Sequence, residues 1–187
     1  MTNEGSAISP APAVTAPRRR GGPAGRLLAV NFAACLLLLA QYLLGMAVNL
    51  YVVLPARHPG AGASNYFTGA ASGLGWVIAH GPGWAAAHAV FGLALVLAAF
   101  ASLALTRGNG RLAMAASILG ALAILGAGFN GVSFLNYGHA FSSMIMAGLW
   151  ALALACYLTG LFVAARTLAR PGAPVTRRPA HPGSGVP

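Results

Sequence analysis

Five histidines are the main titratable side chains of a chain of 187 residues with eleven cationic groups, all arginine, and one acid, Glu4. Two of them, His88 and His139, stand at the openings of long apolar runs, where an ionisable residue is costly and marks a site by default. Each follows an asparagine, Asn49 and Asn130, in the preceding apolar run. Two imidazoles in a helix bundle are the axial ligands a haem requires. The predicted site therefore has His88 and His139 as metal ligands and haem b as the cofactor. Asn49, Asn130, Ser133, Tyr137 and Gln41 line it. The same residue types also serve as glue between membrane helices, with hydrogen bonds of about 0.6 kcal/mol on average. Under that alternative the chain is a non-catalytic bundle, an accessory or permeation subunit.

The pairing of Asn with His belongs to a wider self-similarity. LLGMAVN in the first apolar run and ILGAGFN in the third share Leu-Gly, three residues, and Asn: Leu44, Gly45 and Asn49 against Leu125, Gly126 and Asn130. The next helix opens on His-Ala in both cases. Two similar hairpins in parallel arrangement put the second and fourth helices at equivalent positions, with their histidines facing across the axis. The depths agree in part, since His88 is 19 residues from Arg107 and His139 is 27 from Arg166. That difference amounts to about 12 Å along straight helices.

The positioning elements follow from composition. With 58% hydrophobic and 6% charged residues, the expected solvent is a bilayer. Spans are predicted near Leu27 to Leu54, Trp84 to Leu105, Leu112 to Tyr137 and Ala140 to Ala165, because about 20 helical residues cross the hydrocarbon. The fold class is all-α: a polytopic four-transmembrane-helix bundle, residues 24–168, with an external loop over 55–83 that lies on the membrane or caps the bundle. The Ala, Pro, Ser and Gly-rich tails, 1–23 and 169–187, are expected to be disordered. Arg18, Arg19, Arg20, Arg26, Arg107, Arg111, Arg166, Arg170, Arg177 and Arg178 fall on one side and Arg57 on the other. The positive-inside rule then places both termini in the cytoplasm of a cell with a plasma membrane. Arginine-only, Ala- and Gly-rich composition points to a high-GC bacterial genome.

Helical spacing groups the remaining polar residues. Gln41, Gly45 and Asn49 form one stripe, Asn130, Ser133 and Tyr137 a second, and His139, Ser142, Ser143 and Met146 a third. They should face the bundle interior toward the external side, since polar groups in hydrocarbon need partners. His58, His80 and His181 read as solvated. Cys35 and Cys156 share a depth about ten residues from their arginines, and read as small apolar filler.

QYLLGMAVNLYV, followed by a helix opening AHAVFGLALVLAAF, resembles the helix pair of the haem A synthase family. In that family a Q-x-x-L-G helix precedes one that opens on a haem-ligating histidine. Gln41, Leu44 and Gly45 match the first helix and His88 the ligand; the second copy keeps Leu125, Gly126 and His139 but has Leu122 in place of the glutamine. The resemblance implies one four-helix half of that architecture. It also sets a limit: the family's catalytic half has an external carboxylate near a His-Arg pair, and this chain has no acid after residue 4. Redox relay or haem handling survives that objection, and no catalytic residue is nominated.

Other chemistry is not signalled. There is no Walker loop, dinucleotide fingerprint or HExxH. Arginines at helix ends and in tails give no folded basic surface for nucleic acid. Transport by so small a bundle would call for a homo-oligomer or a membrane partner subunit.

Overall fold

The computed structural model describes residues 22–138 and 141–169, so both tails and His139 lie outside the described residues. Among the described residues five helices form: α1 (Pro23–Tyr51), α2 (Tyr66–His80), α3 (Gly83–Thr106), α4 (Arg111–Tyr137) and α5 (Phe141–Ala169). All but α2 are long and apolar enough to cross a membrane, and they mark a multi-pass membrane protein.

Local chemistry sets the boundaries. Pro23 opens α1, where its missing N–H costs nothing. Asn65 caps α2 by accepting a hydrogen bond from the Thr68 N–H at 3.0 Å. Between α3 and α4 the chain turns at Gly108 and Gly110, both at positive φ, which glycine adopts without a Cβ penalty. Gly138 ends α4 in the left-handed conformation and donates its N–H to the Phe134 carbonyl.

The long helices neighbour one another in the ring order α1, α3, α4, α5, so α1 sits diagonally from α4 and α3 from α5. Their surface is that of a protein dissolved in lipid. Leu43, Leu97, Leu122, Met144 and Phe162 are exposed, while Ala34, Ala99, Ala123, Ala153 and Gly120 are buried. Small residues inside let helix backbones approach, which is how membrane helices gain packing when lipid removes the hydrophobic contrast.

Two expectations are corrected. The first span ends at Tyr51, because Val52 is already extended and Pro55 follows. The segment 55–83, read as a loop, contains the 15-residue helix α2, so the bundle carries a fifth helix. α2 packs on α3 and α4 at the end opposite Arg107 and Arg111. We call the two ends the loop end and the arginine end.

Candidate functional site

The loop half of the bundle holds a half-open cavity of about 510 Å³ to which all five helices contribute. That volume suits a small-molecule ligand. Its lining is almost wholly apolar and includes no arginine or acid.

One polar pair interrupts the hydrocarbon. Gln41 of α1 and His88 of α3 meet at 3.2 Å between their Nε2 atoms. Glycine makes this meeting possible: a Cβ on Gly45 would stand 3.1 Å from His88 Cε1, and one on Gly92 would stand 3.4 Å from the Gln41 amide nitrogen. The pair is incomplete, since His88 Nδ1 and Gln41 Oε1 are both buried without a partner. Orphaned polar atoms in hydrocarbon cost free energy, so their presence beside a cavity is what a missing ligand would explain. The two orientations of the amide make the choice chemical. With Gln41 Nε2 donating, His88 Nδ1 carries a proton for a carbonyl ligand. With Oε1 accepting from His88 Nε2–H, Nδ1 keeps a lone pair for a metal. In the second arrangement Gln41 is the outer partner that orients a ligating imidazole.

These residues fit one side of a haem: an orphaned imidazole nitrogen, a glycine cradle and an apolar chamber. The second predicted ligand, His139, lies outside the described residues. Among the described residues no three of His, Cys, Asp and Glu gather to hold a metal ion.

The other predicted residues divide. Asn49 lines the cavity, four residues beyond Gly45, and is exposed at its rim. Ser143 and Met146 line it from α5. Asn130, Ser133 and Tyr137 do not. Asn130 donates to the Gly126 carbonyl of its own helix at 2.9 Å, and Ser133 to that of Phe129 at 3.0 Å. Tyr137 donates to the Ala63 carbonyl at 3.0 Å, and so ties α4 to the segment before α2. The face of α4 that carries them is partly taken by that segment and by α2, which the sequence reading had as one loop.

His58, read as solvated, is also engaged. Its Nε2 is 3.1 Å from the Leu135 carbonyl and its Nδ1 3.0 Å from that of Pro59. The ring also stacks on Trp76, 4.7 Å between centroids.

A buried polar cluster at the arginine end escaped sequence reasoning. Ser102 Oγ donates to Asn31 Oδ1 at 2.8 Å and lies 3.2 Å from Ser117 Oγ, which is 2.7 Å from Thr106 Oγ1. Asn31, Ser102 and Thr106 are fully enclosed. A signal existed: Asn31 follows Arg26 by five residues, Ser102 precedes Arg107 by five, and Ser117 follows Arg111 by six, so all three share a depth.

No protein-family model, no curated protein and no solved structure matches this chain. The class that the fold itself defines is a multi-pass membrane bundle of four long helices and one short one.

Proposed function

We propose that this chain is a haem-b-binding, cytochrome-like protein of a bacterial plasma membrane, with both termini cytoplasmic and its cavity in the outward half. The observation that carries the reading is His88, an imidazole with one nitrogen orphaned and the other steadied by Gln41 beside an apolar cavity. His88 is one axial ligand and His139, at the corresponding place in the second hairpin, is the other. Asn49 supplies a polar group at the rim. Haem bound there supplies a one-electron couple in a low-dielectric chamber, which suits electron transfer or haem handling. The likeness of Gln41, Leu44, Gly45 and His88 to a haem A synthase helix pair supports the same assignment. So does the diagonal placement of α3, which carries His88, and α5, which follows His139 in the sequence. The arginine distribution supports the orientation.

The test is an absorption spectrum of the detergent-purified protein after expression with ample haem, with and without dithionite. The expected result is a Soret band that shifts on reduction and is lost or displaced in both His88→Ala and His139→Ala, while His58→Ala keeps it. No Soret band sinks the assignment. A reporter fused after Pro187 tests orientation, and an external signal there overturns it.

A second reading has its own support. Asn130 and Ser133 bond carbonyls of their own helix and Tyr137 ties α4 to the Ala63 carbonyl, so all three are engaged away from the cavity. An accessory or permeation subunit, working with a second copy or a membrane partner, accounts for them without a cofactor.

A further inference from the structure

Helix α2 belongs to the cavity wall without belonging to the membrane-spanning ring. Tyr66, Ala70, Leu74 and Val77 line the cavity from α2, yet α2 packs on α3 and α4 and leaves α1 and α5 untouched. Its flanks are jointed. On one side the irregular stretch 52–65 carries Gly60 and Gly62 at φ +94 and +64, and on the other Gly81 and Pro82 break the chain before α3.

The contact of α2 with α4 sets opposing terms against each other. A latch holds it there: Tyr66 OH, at the start of α2, donates to the Phe129 carbonyl at 2.7 Å, and in the stretch before α2 His58 reaches the Leu135 carbonyl at 3.1 Å and Gly62 N–H donates to the Asn136 carbonyl at 3.1 Å. At its centre Gly69 and Gly73 press on the Asn136 side chain so closely that a Cβ on Gly73 would overlap Asn136 Oδ1. The Asn136 amide is 5% exposed, and neither its oxygen nor its nitrogen has a partner. Closure therefore holds an uncompensated amide in the interface, and opening returns that amide to water. The latch favours the closed position and the unsatisfied amide opposes it.

We propose that α2 is a lid: it swings on the 52–65 and Gly81–Pro82 joints, away from Asn136, to admit ligand to the cavity from the loop end. The lid rests on the cavity being a ligand site and does not depend on that ligand being haem.

Hydrogen exchange of the full chain in nanodiscs tests it without any variant. The α2 amides should exchange together, on the order of tenfold or more faster than those of the adjoining stretch of α4. Protection of α2 equal to that of α4 overturns the lid. A second measurement uses Leu74→Cys, whose thiol faces the cavity when α2 is closed, and follows maleimide labelling of the peptide that contains it. Adding Gly73→Ala should speed labelling severalfold and adding Asn136→Leu should slow it, whereas equal rates in all three proteins overturn the role of Asn136. Neither readout needs haem. A missing Soret band with fast α2 exchange removes the cofactor assignment alone, and a Soret band with a protected α2 removes the lid alone.

Discussion

The two halves of this bundle use the same side-chain chemistry to opposite ends. At the arginine end, Asn31, Ser102, Thr106 and Ser117 bond one another across three helices. At the loop end, Gln41 and His88 bond each other once and keep an orphaned atom each beside a cavity of about 510 Å³. A nearly closed network fixes helix positions, while an open one leaves valence for something else. Asn31 Nδ2 is the exception in the closed network: it is buried without a partner, against α5 at Gly160.

The largest effect should come from filling that last contact. A Cβ on Gly160 would stand 2.5 Å from Asn31 Nδ2, with the helices already in contact. Gly160→Val should cost about 3 kcal/mol through overpacking, read as a fall in the thermal unfolding midpoint in detergent. The matching change at the other end, Gly45→Ala, meets only the edge of the His88 ring. It should cost less than about 1 kcal/mol while displacing the Soret band. Equal stability losses at the two glycines would remove the contrast between the ends.

Polar-to-apolar substitution sharpens the comparison. Ser102→Ala strands Asn31 Oδ1 and removes one neighbour of Ser117, so it should destabilise by about 1 kcal/mol. Gln41→Leu removes an orphaned acceptor but leaves His88 Nε2 without its partner, so the two effects offset in part and the loss of stability should be smaller than for Ser102→Ala, below about 1 kcal/mol. Its effect on the bound spectrum should be large, because His88 loses the group that orients it. A Gln41→Leu protein that unfolds like Ser102→Ala but keeps its pigment would make Gln41 structural.

The spans were legible because lipid demands long apolar runs, and four of them have the required length. α2 was not legible, because YFTGAASGLGWVIAH is rich in glycine, a poor helix former. Its glycines are used instead for close approach to Asn136, a tertiary reason that no local pattern carries. The pairing of His88 with Gln41 was half visible: both were nominated as site residues, but the sequence reading set His139, not Gln41, across from His88. The arginine-end cluster was hidden because its members are scattered over three runs, and only the shared distance of Asn31, Ser102 and Ser117 from the arginines links those runs.

The smallest expected effect bears on whether the two hairpins are equivalent. Asn130 bonds the Gly126 carbonyl four residues back on its own helix, a local bond whose loss returns a helix carbonyl to its ordinary intrahelical partner. Asn130→Leu should therefore change stability by less than about 0.5 kcal/mol and leave the absorption spectrum as it is. Asn49 lines the cavity rim, so Asn49→Leu should shift the spectrum modestly. The repeat, taken strictly, requires the two asparagines to act alike. If Asn130→Leu disturbs the pigment as much as Asn49→Leu does, the bound protein has α4 turned so that Asn130 faces the ligand. The segment before α2 would then have to release Tyr137, and the symmetry of the hairpins would describe the working state better than the packing of α2 on α4.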